Sequence, residues 1–419
     1  MKIRPFWVLI HRYAGLAMTA FLIIVGLTGS LLAFYAELEH AINPQLQVEA
    51  NGRKPLDPGT LLAHAERLAP QAEVQSLWFN PEATQVSVAP RKDPSTGELA
   101  ALDFDQLFLN PYTGEELGRR SWGVISQGLI NLMPFIYKLH FALALDELGG
   151  WILGVTALVW TLDCFVGFYL TLPMAKRQLP EAEVLKVAPT VISPRFSMRR
   201  SFWQRWRPAW LIKWRGSPYR INVDLHRAGG LWLWLVLLVF AWSSVYMNLG
   251  DTVYKSVMQT VSDFHQPWTE FADLGQPLEN PAIGWQEAYR LGNAAMSRAA
   301  TEQGFKIEAP AGMWLNRAKG FYVYEVRSSA DIQDRMGQTR VVIDANSGAQ
   351  KMLLLPSGQY NGNTITTWLV ALHTANVFGM PYRIFVCVLG LAIVMLSVTG
   401  LVIWLKKRRA RKYRQISKV

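Results

Sequence analysis

Apolar residues along the chain gather into four long runs, separated by two extended stretches in which apolar and polar positions alternate. The runs are Tyr13–Ala36, Leu148–Leu162 continuing past Asp163 to Ala175, Ala228–Gly250 and Ile384–Leu405. Each holds about 22 to 28 residues, enough at 1.5 Å per residue to cross a hydrocarbon core of roughly 30 Å. They predict four membrane-crossing helices. The first run is too long for a signal-peptide core and is expected to stay as an anchor.

The stretches between the runs read differently. Val86-Ser87-Val88, Phe104–Leu109, Phe321–Val326 and Arg340–Ile343 alternate like half-buried strands. Thr60–Leu68 and Trp285–Thr301 have the spacing of amphipathic helices. Asn110-Pro111-Tyr112-Thr113-Gly114 and Asp344-Ala345-Asn346-Ser347-Gly348 are turn signatures between strands. Each stretch therefore predicts a small α+β domain.

The two halves look alike. Ile10-His11-Arg12-Tyr13-Ala14-Gly15-Leu16 opens the first crossing, and Leu225-His226-Arg227-Ala228-Gly229-Gly230-Leu231 opens the third. Leu139-His140 precedes the second crossing and Leu372-His373 the fourth. Both halves run out and back in the same sense, as parallel repeats about an axis along the membrane normal do. The expected fold is an α-helical membrane protein, a four-helix transmembrane bundle from two parallel repeats, with two α+β extracytoplasmic domains. Its boundaries are 1–40 (first crossing), 41–134 (first outer domain), 135–175 (outer histidine segment and second crossing), 176–222 (basic loop with an interfacial helix), 223–250 (third crossing), 251–365 (second outer domain), 366–405 (outer histidine segment and fourth crossing) and 406–419 (basic tail).

Charge sets the expected orientation. The net charge of +11 is concentrated in two places. Residues 173–222 carry eleven Lys/Arg against two acids, and the tail from Lys406 carries eight and none. Such clusters beside helix ends mark the cytoplasmic side and suit anionic lipid headgroups, so nucleic acid is not the expected partner. Trp203, Trp206, Trp210 and Trp214 predict an amphipathic helix on those headgroups. Cys164 and Cys387 both fall within predicted crossings, which argues against a disulfide, and no Cys-x-x-Cys-His occurs for covalent haem attachment.

Four of the seven histidines occupy matched positions at crossing ends. Across a two-fold axis His11 faces His226 on the inner side, and His140 faces His373 on the outer side. Two facing imidazoles are what a hexacoordinate b-type haem requires. Ordinary interfacial histidines are the rival reading, and a zinc site would gather three or four close ligands instead. Arg12 and Arg227 inside, and Lys138 and Arg383 outside, suit haem propionates or are ordinary helix-end charge. Asp163 is the one acid in a predicted crossing, either a proton or quinol site or a carboxyl bonded to a neighbouring Ser or Trp. His40, His64 and His265 have no counterpart in the other half and read as surface residues.

One geometric demand follows. His140 lies 33 residues before Pro173, and His373 lies 33 before Lys406. A straight helix of that length would extend about 50 Å, more than a bilayer. Breaks are expected at Asp146–Gly150 and Gly379–Pro381, with each outer histidine on a short segment before its crossing.

These motifs, with Leu27-Thr28-Gly29-Ser30-Leu31-Leu32, Phe378-Gly379 and Ser397-Val398-Thr399-Gly400-Leu401…Trp404, resemble PepSY-associated transmembrane proteins over nearly the whole chain. Leu162-Asp163-Cys164-Phe165-Val166-Gly167-Phe168 and the paired histidines are most similar to the FoxB-type ferrisiderophore reductases of Gram-negative inner membranes. Ala241-Trp242-Ser243-Ser244 departs from the pattern, standing where Leu27-Thr28-Gly29-Ser30 stands in the first half. The resemblance implies PepSY-like outer domains in the periplasm. It implies two non-covalent b-type haems with His11, His226, His140 and His373 as axial ligands, and electron transfer across the membrane to a periplasmic ferric siderophore. No nucleotide-binding glycine motif is present, so the electron donor is expected to be external: a quinol, reduced flavin or a cytosolic reductase. Two other classes remain, a component of an iron-compound transporter and a non-catalytic membrane anchor regulating a peptidase.

Overall fold

The computed structural model describes residues 3–49, 52–93, 95–174 and 201–416. In chain order its helices are α1 (Ile3–Leu32), α2 (Tyr35–Ile42), α3 (Pro58–Leu68), α4 (Leu132–Ala142), α5 (Asp146–Thr171), α6 (Phe202–Trp206), α7 (Pro218–Leu249), α8 (Lys255–Val261), α9 (Trp285–Gln303), α10 (Asn361–His373) and α11 (Gly379–Ile416). Four helical stretches, Ile3–Leu32, Asp146–Thr171, Pro218–Val261 and Gly379–Arg411, are long and apolar enough to cross a membrane. All four begin earlier than the predicted runs, and the first and second also end earlier, at Leu32 and Thr171. Helix propagates into polar flanks because each added residue gains a backbone hydrogen bond, whereas hydropathy marks only the apolar part. His11 and His226 therefore sit two turns inside their helices, not at the ends. The third span also takes in the buried Asp224, so Asp163 is not the only acid in a crossing.

The chain packs as two compact units, one of Met1–Ile23, Thr156–Ala241 and Ala392–Val419, the other of Ile24–Val155 and Trp242–Leu391. The first is helical. The expected tryptophan helix over 203–214 is shorter here. Ser201 and Gln204 form a capping box that starts α6, and the helix gives way to a 3-10 turn, Arg207–Trp210, at Pro208. Only Trp206 is buried, against Leu231 with Phe168 and Leu172. The remainder of the basic loop, 175–200, lies outside the described residues.

The second unit holds eight strands: β1 (Ala72–Trp78), β2 (Thr84–Pro90), β3 (Gln106–Leu109), β4 (Glu116–Arg120), β5 (Ile307–Asn316), β6 (Phe321–Ser328), β7 (Thr339–Asp344) and β8 (Gln350–Leu354). All four predicted strands lie in or against β2, β3, β6 and β7. The expected pair of separate domains is instead one antiparallel sheet, ordered β4-β3-β2-β1-β5-β6-β7-β8. Its seam pairs Ser76 with Trp314, Leu77 with Met313 and Trp78 with Gly312. Gly312 is required there, since a Cβ would stand 2.5 Å from the Trp78 ring. Joining the two half-sheets removes two strand edges that would otherwise bind stray chains.

One helix covers each half-sheet. Helix α3 starts at the Asp57 cap with Pro58 in its first turn, and buries Leu62 and Ala65 against Val74, Leu77, Val86 and Leu107. Helix α9 buries Ala288, Ala295 and Met296 against Tyr322, Tyr324, Val341 and Ile343.

Two sharp corners carry the outer histidines. Between α4 and α5 the backbone is left-handed at Leu143, Ala144 and Asp146, and between α10 and α11 at Ala375 and Phe378. Side-chain-bearing residues adopt this conformation only where the surrounding packing dictates it. The first break falls just ahead of the expected 146–150, because α5 already begins at Asp146. Its glycine is used for packing: a Cβ on Gly149 would lie 1.7 Å from the Ala142 carbonyl oxygen, so only glycine lets α4 fold back on α5.

Candidate functional site

In the helical unit His11 projects from α1 and His226 from α7, with ring centroids 6.1 Å apart. Each Nδ1 is already engaged. That of His11 lies 2.9 Å from both carboxylate oxygens of Asp163 on α5. That of His226 donates to the Leu396 carbonyl on α11 at 3.0 Å, with Thr399 Oγ1 at 3.2 Å. A carboxylate and a carbonyl only accept, so Nδ1 is the donor in both rings.

In the sheet unit His140 on α4 and His373, the last residue of α10, have centroids 6.2 Å apart. Thr28 Oγ1 on α1 lies 2.9 Å from Nδ1 of His140 and gives its own proton to the Ile24 carbonyl. The ring also bonds the Val25 backbone. Ser243 Oγ on α7 lies 2.7 Å from Nδ1 of His373.

These spacings match a shared metal. A metal–imidazole bond of about 2.0–2.1 Å on each side, plus a ring radius of roughly 1.2 Å twice, separates the centroids by roughly 6.4 Å. An Nδ1 fixed by carboxylate, carbonyl or hydroxyl is the usual second contact of a metal-bound histidine. Among the described residues no three His, Cys, Asp or Glu side chains gather into a metal cluster, so the pairs stand as pairs.

The first pair opens on a cavity of about 640 Å³, lined by His11, Asp163 and His226 with Arg12, Arg220, Arg227 and Lys407. That volume lies in the range of about 300–1,000 Å³ typical of cofactor sites. Gly15 and Gly230 also line it, and a Cβ on either would meet nothing within 4 Å. Other glycines seat the rings themselves. A Cβ on Gly400 would stand 3.0 Å from Cε1 of His226, one on Gly29 3.0 Å from Cε1 of His140, and one on Gly167 3.6 Å from Cε1 of His11. The site accordingly fits a flat macrocycle held by two imidazoles, with cations at its rim for carboxylates.

The four expected cations divide. Arg12 and Arg227 line the cavity. Arg227 is oriented by Asp224, which also holds Arg220 and is itself fully buried. Lys138 and Arg383 are held in ion pairs within the sheet unit. Lys138 is paired with Asp146 at 2.7 Å, across the corner between α4 and α5. Arg383 is 2 % exposed, donates to the Ala33 carbonyl and forks onto Glu37, whose carboxyl it holds down to about 2. Both are structural ties.

Of the remaining histidines, His40 bonds Gln47 and His64 bonds the Gly114 carbonyl. His265 pairs with Glu270 and stacks on Tyr360. Asp163 meets a histidine, not the Ser or Trp considered for it.

Sequence reasoning missed Thr28, Ser243, Leu396, Arg220 and Asp224. A signal for the first two was present: Thr28 follows His11 by seventeen residues and Ser243 follows His226 by the same number. Matching Ala241 to Leu27 slips that register by one and hides the shared hydroxyl. The Leu396 contact uses backbone oxygen, which any residue supplies, so the residue type carried no signal.

The family model of the PepSY-associated TM region matches residues 8–407. No curated protein matches the chain. With four apolar helices of crossing length, the match makes this a multi-pass membrane protein.

Proposed function

The chain belongs to the PepSY-associated TM family, and we propose that it is an inner-membrane oxidoreductase. In this reading it holds two b-type haems non-covalently and passes electrons from an external donor to a ferric siderophore in the periplasm. The donor is a quinol, reduced flavin or cytosolic reductase. The basic tail and the loop before α7 lie on the cytoplasmic side, by the distribution of Lys and Arg.

The observation that carries this is the pair of facing imidazole pairs, each ring tied through Nδ1. Bound haem supplies one-electron exchange; the protein supplies ligation, orientation and a dry surrounding. His11 and His226 hold one group, and His140 and His373 the other. Asp163, the Leu396 carbonyl, Thr28 and Ser243 hold the four rings through Nδ1. Arg12 and the Asp224-oriented Arg220 and Arg227 receive propionates at the first site. Reduction frees iron because Fe(II) binds hard oxygen ligands far less tightly than Fe(III).

An absorption spectrum of the purified protein tests the reading. Reducible Soret and α bands with two haem equivalents per chain are expected. A protein expressed with ample haem that shows neither band overturns it.

A further inference from the structure

A second cavity, of about 560 Å³, lies wholly within the sheet unit. It is bounded by the turn after α7, the segment ahead of α9, strands β7 and β8, and α10. Its volume again lies in the range of about 300–1,000 Å³ that accommodates a small organic ligand.

Three features mark it as built. Gly250–Tyr254 is a π-helical turn, a rare geometry that recurs at functional sites. The turn is anchored by the fully buried Tyr254, whose hydroxyl meets Thr366 Oγ1 on α10 at 2.8 Å. That anchorage leaves Asp251 and Thr252 exposed at the cavity. Opposite, His265 stacks on Tyr360 with centroids 4.6 Å apart, giving a flat aromatic wall. The cavity also reaches Val370 on α10, three residues and about 4.5 Å of helix rise before His373.

The polar groups specify a charge. Arg340 is committed to Glu325, and His265 to Glu270. Asp251 accepts only from the Gln266 amide and, among the described residues, enters no ion pair. Gln266 Oε1 is shielded from solvent and has no partner among the described residues. Among the described residues Asp251 is thus the cavity's unpaired charge, and Gln266 Oε1 is its unmatched buried acceptor, beside the donors of Tyr246, Trp268 and Tyr360. A buried acceptor left unmatched is costly, so a ligand with N–H or O–H donors is favoured. A polyanion would face Asp251, while the lining cation Arg340 is already paired with Glu325.

We propose that this cavity binds an uncharged or singly positive organic ligand bearing hydrogen-bond donors. On the oxidoreductase reading, on which this step rests, the ligand is a ferric chelate of that charge, bound one helical turn from His373.

The test uses the full chain in nanodiscs and two redox-inert gallium(III) complexes. The tris(acetohydroxamate) is neutral and carries N–H donors; the tris(catecholate) is triply negative. Binding is read by calorimetry, and the haem spectrum is recorded on the same samples. The neutral complex is expected to bind at least about tenfold more tightly than the trianion. Thr252→Trp, which fills the mouth from an exposed position, should abolish the heat. Asp251→Asn should weaken the neutral complex by roughly tenfold, the loss of a charge-assisted bond. Equal or tighter binding of the trianion overturns the charge argument. Binding unchanged by Thr252→Trp overturns the location, and binding of neither complex overturns the inference altogether. None of these outcomes alters the haem bands, on which the oxidoreductase reading stands or falls separately.

Discussion

Asp163 holds His11 by a carboxylate 2.9 Å from Nδ1, while the facing ring, His226, rests on a neutral carbonyl. One site thus contains two chemically unlike imidazoles. A carboxylate pulls harder on the Nδ1 proton, which makes Nε2 of His11 the more basic donor. Asp163→Asn should keep the ring in place but raise the midpoint potential of that haem. Asp163→Ala should lower haem affinity by about 10- to 100-fold. Potentiometric titration and haem content check both. An unchanged potential in Asp163→Asn would contradict the assignment.

The two ring pairs make a combinatorial prediction. His11→Ala and His226→Ala should each remove the same haem, and His140→Ala and His373→Ala the other. Haem quantification should give one equivalent per chain in every single variant and in the double variant His11→Ala/His226→Ala. A double variant of one pair that loses both equivalents would show the pairing to be wrong.

Gly149→Ala tests the corner that positions His140. Its Cβ would fall 1.7 Å from a backbone oxygen, which no side-chain adjustment relieves. A loss of about 3 kcal/mol or more is expected, at the upper end of overpacking effects. Denaturant or thermal unfolding of the purified variant measures it. Gly275→Ala, which lines neither cavity, faces open space and should be close to neutral in the same assay.

Asp331 gives the sheet unit a pH dependence. Burial raises its carboxyl from 3.8 to about 6, against the lowering effect of the Ser328 and Gln338 amides. The folded protein keeps this proton where the unfolded chain releases it. The contribution is therefore complete below pH 3.8 and is lost as pH rises through about 6. Melting temperature should fall with rising pH across that window, and Asp331→Asn should flatten the slope whatever its effect on the absolute value. A slope unchanged by the substitution would place the titration elsewhere.

Much of this was legible in the sequence, for identifiable reasons. Long apolar runs announce crossings because lipid tolerates little else. His140 and His373 were placed on short segments by length alone, since a continuous helix to Pro173 or Lys406 would overrun the bilayer. The shared sheet was not legible. Which strands pair across 230 residues depends on how Trp78 meets Gly312, and neither alternation nor turn residues record it. The histidine supports divide the same way. Asp163 was conspicuous because acids are rare in apolar helices, whereas Thr28 and Ser243 look like ordinary helix-packing hydroxyls until the rings are seen against them.

The seam between β1 and β5 bears on how the chain is made. During synthesis the first half emerges alone, and β1 then has β2 on one side and nothing on the other. Until β5 arrives, roughly 230 residues later, that bare strand is an adhesive surface in a crowded compartment. A nascent chain stalled in this interval would be a natural client for chaperones or proteases, and completion of the second half is what retires the hazard.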